Sequence, residues 1–502
     1  MSASIDLVLV NPGSRTAIYQ SLGARLTAVE NPVWAGLIAT FARHQGLSVA
    51  VIDAEADDLT PDQAAERAVC LDPRLVAVVV YGHQPSASTQ NMTGASAIVT
   101  ALKRLSPSTK VLMIGGHVAA LPARTLNEEA CDFVTRDEGL YGTTALVEAL
   151  KATANPDLGK VPGLVYREGG QIRANPAAGL VTDLDRDMPG VAWDLLPMPK
   201  YRAHNWHCFG HLQRQPYAAI YTTLGCPYHC SFCCIQAPFK GGEGVIGLKQ
   251  EVNSYRFWSP ARVVEEIDLL VNTYGVRNIK FADEMFVLNQ RHVLGICDLL
   301  IERNYGLNIW AYARVDTVKD GMLDKLKRAG FNWLALGIEA ADERVLTDAN
   351  KRYRVDEVFD TVSRIQAAGI YVIGNYIFGL PEDDRDTMQR TLDLALDLNC
   401  EFGNFYCAMA YPGSELYRQA VAQNWRLPDT WAGFSQHAVD TLPLPTRHLP
   451  ASEVLKFRDH AFRKYFADKS YLEYVERRFG ADTVAHILEM SSHQLERKFA
   501  AA

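Results

Sequence analysis

Three cysteines crowd into the middle of the chain: Cys226, Cys230 and Cys233, in the stretch Gly225-Cys226-Pro227-Tyr228-His229-Cys230-Ser231-Phe232-Cys233. The apolar run Ala218-Ala219-Ile220-Tyr221 before them reads as a short strand feeding a tight loop. Three thiolates on one such loop can hold three irons of a four-iron, four-sulfur cluster and leave the fourth iron open to a small ligand. A zinc site takes its fourth ligand from a second close pair, and none follows here. A ferredoxin-type electron carrier closes every iron with four cysteines. The spacing therefore favours a cluster that does chemistry, with a structural metal clip or chance spacing as the bland alternative.

The loop needs a scaffold that presents it at a strand end, and the flanking sequence supplies one. From Tyr217 onward, strand candidates at 218–222, 278–282, 308–313, 332–338, 371–377 and 403–409 alternate with helical segments such as 260–274 and 290–304. Six such units predict a partial (β/α)6 barrel over 216–420, with catalytic loops at the carboxyl ends of its strands. A chain of 502 residues is too long for one core. Ahead of the barrel, apolar runs ending at Val10, Asp53, Val80, Ile114 and Val134 alternate with helical stretches, predicting a doubly wound parallel sheet over 1–151. A connector at 152–215 carries a small hairpin around Gly169-Gly170 and the aromatic residues Trp193, Tyr201 and Trp206. The last stretch, 421–502, has helical spacing and predicts a cap on the substrate side.

Bulk properties narrow the partners. A formal net charge of -8 argues against a nucleic-acid surface, and no apolar run reaches membrane-spanning length. Scattered cysteines and the lack of a basic leader at Met1–Asp6 point to a reducing cytoplasm.

In the first domain, the loop after strand one reads Asn11-Pro12-Gly13, not Gly-x-Gly-x-x-Gly, which weakens a dinucleotide reading. The pattern resembles the cobalamin-binding domain of corrinoid enzymes. There, the loop after strand three and a Gly-Gly after strand four enclose the nucleotide tail. Tyr81, Gly82, His83, Gln84 and Ser86 occupy the first place here, and Gly115, Gly116 and His117 the second. The family's Asp-x-His-x-x-Gly loop is absent, with Asn11, Pro12 and Gly13 standing where it would be, so no histidine of that loop reaches cobalt. His83 either lies under the corrin or serves only as a hydrogen-bonding strand end.

The whole of 1–420 resembles the cobalamin-dependent radical S-adenosylmethionine (radical SAM) enzymes. The cysteine loop, Phe281-Ala282-Asp283-Glu284, Arg314, Gly337-Ile338-Glu339, Phe378-Gly379-Leu380-Pro381 and Tyr411-Pro412-Gly413-Ser414 follow in the family's order. The resemblance implies that Cys226, Cys230 and Cys233 hold the cluster, and that Asp283 and Glu284 contact the methionyl ammonium. It places Arg314 on the carboxylate, Glu339 on the ribose hydroxyls or the ammonium, and Tyr228 and Phe232 beside the cluster or adenine. Arg314 has a plainer reading, neutralising Asp316 or Glu339. Tyr376, Asn404, Tyr406 and Tyr411, near late strand ends, either line a substrate pocket or fill the barrel. The implied cofactors are a 4Fe-4S cluster, S-adenosylmethionine and cobalamin, with a flavodoxin- or ferredoxin-type electron donor. The implied activity is methyl transfer from methylcobalamin to an unactivated carbon of a small metabolite, a sugar or natural-product precursor, after hydrogen abstraction by a deoxyadenosyl radical. A cyclase or oxidoreductase of the anaerobic magnesium-protoporphyrin type shares the same motifs.

Overall fold

Apolar residues on alternate positions of the first strand enter separate cores, Leu7 and Leu9 on one face and Val8 and Val10 on the other. A sheet covered on both sides follows from that pattern. The computed structural model describes residues 4–23, 26–153, 155–210, 212–239 and 254–499. Its first sheet contains β1 (Leu7–Asn11), β2 (Val49–Asp53), β3 (Leu75–Val79), β4 (Val111–Ile114) and β5 (Phe133–Thr135), parallel in the order β2-β1-β3-β4-β5. Strand order reverses between β1 and β3, which opens a crevice at their carboxyl ends. The hairpin expected in the connector forms as β6 (Leu164–Glu168) and β7 (Gln171–Ala174) and adds to β5 antiparallel, extending this sheet to seven strands. The helix Ala87–Leu105 starts directly after the loop that follows β3.

The second sheet consists of β8 (Tyr217–Ile220), β11 (Asn278–Phe281), β12 (Asn308–Arg314), β13 (Phe331–Glu339), β14 (Tyr371–Phe378) and β15 (Phe402–Cys407), all parallel and in sequence order. A two-stranded ladder of β9 (Thr223–Leu224) and β10 (Arg256–Phe257) flanks the cysteine loop. The curled sheet is a barrel left open between β8 and β15, as the sequence predicts. Open edges leave backbone groups to be paired, and amide side chains do this at both. The fully buried Asn31, from the first domain, accepts from the Ala219 N–H at 2.7 Å and donates to the Ala219 carbonyl at 3.0 Å. Gln436 does the same for Cys407 on β15, at 2.8 and 3.1 Å. Arg458, on the helix Ala451–Phe466, donates to the Phe405 carbonyl at 2.8 Å.

The stretch 421–502, expected to be helical throughout, is so only in its second half. Between Gln423 and Pro450 the chain is irregular apart from a single 3-10 turn, Ala432–Phe434. Its prolines, at 428, 443, 445 and 450, break any helix there. Three helices follow, Ala451–Phe466, Lys469–Phe479 and Ala481–Ser492, and pack against the barrel seam. Of the connector aromatics, Trp193 donates to Glu266 and Tyr201 to Asp53, so both pack, while Trp206 faces a cavity.

Candidate active site between the two sheets

The cysteine loop owes its shape to Gly225 and to ties from later segments. Gly225 has φ +77°, where only glycine is unstrained, and it packs on the Ser254 backbone. Gln236 donates to the Cys226 carbonyl at 2.6 Å, Ser231 N–H to Ala349 O at 3.0 Å, and Asn350 to the His229 carbonyl at 2.8 Å. The Leu416 N–H, just past Tyr411-Pro412-Gly413-Ser414, donates back to the Ser231 carbonyl at 3.0 Å. Gly413 lets that motif close on Ala237 and on Ala120 of the first domain.

The three thiols lie within electrostatic reach of one another. Burial pushes the Cys226 thiol up to about 12 and raises Cys230 and Cys233. Among the described residues no three His, Cys, Asp or Glu side chains close around a single metal ion. Arg314 lies against this loop: its guanidinium is 4.0 Å from the Tyr228 ring centroid and its Nη1 is 3.9 Å from Cys230 Sγ.

One cavity of about 1180 Å³ joins the cysteine loop to the crevice of the first sheet. Pockets for a single small ligand run to about 1,000 Å³, so this space exceeds the needs of one molecule. From the first domain it is lined by Asn11, Pro12, Tyr81, Gly82, His83, Gln84 and Ser86. From the barrel come Phe232, Cys233, Glu284, Arg314 and Glu339. Asn11 is anchored on Asp53 at 2.8 Å, Tyr81 stacks on Trp34 with centroids 4.2 Å apart, and Gln84 reaches across to the Tyr312 hydroxyl at 2.6 Å. Four residues of the expected corrin site do not line this cavity. Gly115 packs directly on the Val80 carbonyl, the buried His117 is covered by Trp431, ring centroids 4.4 Å apart, and Gly116 lines a small adjoining pocket with Tyr81, Gly82 and Glu284. Gly13 is likewise not part of its wall and packs against Gly94 of the helix Ala87–Leu105.

Asp283 and Glu284 part company. The Asp283 Oδ1 atom accepts from Thr222 N–H and hydroxyl, each at 2.9 Å, and from Thr223 N–H, so this fully buried side chain locks the end of β8 and stays out of the cavity. Burial raises its carboxyl to about 6. Glu284 does line the cavity, and burial pushes its carboxyl up to about 8. Arg314 spends two donors on Asp316, at 2.9 and 3.2 Å, which is the plainer of its two sequence readings, and keeps Nη1 toward the cysteine loop. Glu339, at φ +61°, is ion-paired with the buried Lys351, a residue that sequence reasoning missed. Gly337 leaves room for that pair; a Cβ there would come 2.5 Å from Glu339 Oε1 and 2.6 Å from Lys351 Nζ. Asn404, Tyr406 and Tyr411 line the cavity, and Tyr376 is buried barrel filling.

A second missed group is centred on Glu30. Lys280 donates to it at 2.9 Å, Tyr217 at 3.0 Å, and His83 Nδ1 lies 3.1 Å from it. Burial alone would raise this carboxyl, but His83, Lys280 and His204 outweigh that and hold it well below the usual range. Because His83 Nε2 also meets the Asn31 carbonyl at 2.7 Å, both ring nitrogens face protein acceptors, which favours the hydrogen-bonding reading over a cobalt ligand.

The family comparisons agree with this arrangement. The B12 binding domain profile matches residues 19–147 and the Radical SAM superfamily profile residues 220–395. The chain belongs to the cobalamin-dependent radical SAM enzymes. An uncharacterized methyltransferase of Pyrococcus horikoshii is 27% identical over 463 residues, 92% of each chain. The anaerobic magnesium-protoporphyrin IX monomethyl ester cyclase of Rubrivivax gelatinosus is 26% identical, covering 91% of this chain and 77% of the cyclase. The fold matches TsrM, a radical SAM methyltransferase from Kitasatospora setae solved with cobalamin and a [4Fe-4S] cluster, with a TM-score of 0.65 at 16% identity over 92% of this chain and 89% of that one. The cofactors of this enzyme class are a 4Fe-4S cluster, S-adenosylmethionine and cobalamin. Among the described residues no helix is long and apolar enough to cross a membrane.

Proposed function

We propose that this radical SAM enzyme is a C-methyltransferase acting on an unactivated carbon of a small metabolite. The observation that carries the reading is the single cavity walled both by the crevice of the first sheet and by the strand ends of the barrel. Two reactive groups held on opposite walls can act on one substrate only if no protein layer divides them. When bound, the three cofactors supply one-electron cleavage of a sulfonium and a transferable methyl group. Cys226, Cys230 and Cys233 hold the cluster. Glu284 takes the methionyl ammonium, whose positive charge opposes the burial that raises this carboxyl, while Lys351 and the remaining Arg314 donor serve the methionyl carboxylate. Asn11, Pro12, Tyr81, Gly82, Gln84 and Ser86 meet the corrin and its side chains. A flavodoxin- or ferredoxin-type donor and a reducing, oxygen-poor compartment such as the cytoplasm suit this chemistry.

The test is anaerobic reconstitution with iron, sulfide and hydroxocobalamin, followed by incubation with labelled S-adenosylmethionine and candidate metabolites. Methylation yields S-adenosylhomocysteine and deoxyadenosine together. Deoxyadenosine with little S-adenosylhomocysteine would instead favour cyclisation or oxidation, the second reading that likeness to the cyclase supports. A protein that retains no corrinoid overturns both.

A further inference from the structure

The interior of a closed (β/α)8 barrel is a packed core. Here the cavity continues down the open barrel: all six residues of β15, Phe402 to Cys407, line it, as do Trp310 and Arg314 near opposite ends of β12. Six strand residues at about 3.3 Å each make this arm roughly 20 Å long. Its width comes from small inward residues, Ala313, Ala335 and Gly403. Its walls are Trp206, Phe209, Trp310, Phe402, Phe462 and Met490, with Trp206 closing the floor against Trp310 and Trp333 at centroid distances of 5.0 and 5.6 Å.

Charge is cancelled along the arm. Lys280 is paired with Glu30, and Arg458 and Arg497 share Asp459, each at 2.9 Å. His204 and His486 are pushed down by burial, His204 to about 4, so both imidazoles are neutral at pH 7. Lys456 and Arg463 also border the cavity, but they are exposed and mark its rim. An anionic body would find Lys280, Arg458 and Arg497 already paired, whereas a hydrocarbon body would gain about 25 cal/mol for each Å² it buries against the aromatic walls. Polar groups also face the arm, among them Asn404 and Tyr406 of β15 and Trp310 Nε1, which is buried with no hydrogen-bond partner and which a single oxygen on the ligand would satisfy.

We infer that the substrate is an elongated, neutral, hydrocarbon-bodied molecule bearing an oxygen, lodged along β15 with its reacting carbon toward the cysteine loop. This rests on the methyltransferase reading and narrows its substrate class. The probe is farnesol, a neutral fifteen-carbon alcohol, titrated calorimetrically into the full-length reconstituted enzyme, with glucose and tryptophan as polar comparators. Farnesol is expected to bind at least tenfold tighter than either. Ala335→Leu, which fills the arm, should weaken farnesol at least tenfold. Should that variant fail to fold, Met490→Trp at the half-buried wall is the deciding substitution, with the same expected direction. Equal or tighter binding of a polar comparator overturns the inference, as does farnesol binding unmoved by the substitutions. Deoxyadenosine release from the wild type is followed in parallel: its presence without farnesol binding sinks only the substrate class, and its absence sinks the functional reading beneath it.

Discussion

Replacing Asn31 by alanine should loosen the first strand of the barrel without touching the barrel's own sequence. The side chain gives Ala219 both a donor and an acceptor, at 3.0 and 2.7 Å, in a site with no solvent exposure. Alanine leaves the Ala219 N–H and carbonyl buried and unpaired, and each such group costs about 1–3 kcal/mol. Water entering the vacated space recovers part of this, so we take about 2 kcal/mol as the net loss, which corresponds to roughly 30-fold in a local opening equilibrium. Hydrogen exchange read by mass spectrometry on a peptide spanning 215–222 reports that opening directly. The comparator is Tyr217→Phe, which removes one hydrogen bond to Glu30 from the same strand and leaves the edge pairing whole. The expected result is exchange about 30-fold faster in Asn31→Ala and little change in Tyr217→Phe. Identical exchange in Asn31→Ala and wild type would refute the claim that this amide closes the barrel edge. Because the same loop carries Glu30 against Lys280 and His83, loosening it should also lower cobalamin retention after gel filtration.

Other expectations follow from single observations. Glu266 is buried among N–H donors from Val191 and Trp193, and burial raises it to about 7. Its folded value lies above its unfolded one, so its contribution is full below about pH 4.5 and is lost as pH rises through 7, on the order of 3 kcal/mol in all; Glu266→Gln should flatten that slope in melting temperatures taken from pH 5 to 8, and an unchanged slope counts against the assignment. Gly337→Ala puts a Cβ onto the Glu339–Lys351 pair and should weaken S-adenosylmethionine binding at least tenfold by calorimetry, with far-ultraviolet circular dichroism unchanged; unaltered affinity would remove that pair from the binding site. Alanine at Cys226, Cys230 and Cys233 together should abolish iron retention and visible absorbance after reconstitution, and a preserved signal would mean the cluster is held elsewhere.

What the sequence made legible was whatever repeats with a short period or lies within one loop. Apolar runs located all eleven parallel strands because most of their positions are buried, and the cysteine spacing picked out the loop because its residues are neighbours in the chain. The misses share a different physics. Asp283 and Glu284 are adjacent, but successive residues past a strand end point in different directions, so one locks onto Thr222 while the other enters the cavity. Lys351 is twelve residues beyond its partner Glu339, and only folding brings the two together. Asn31 meets Ala219 across 188 residues, and Gln436 meets Cys407 across 29. Neither amide sits in a motif, because what each recognises is bare backbone, which has no sequence signature. Yet these two side chains help a barrel of six strands remain open: each pairs one residue of a free edge from outside the sheet, one from the corrin-side domain and one from the irregular segment before the last helices. An open barrel with sealed edges keeps a through-going interior, and that interior is what lets one cavity serve the cluster loop, the first domain's crevice and a long substrate at once.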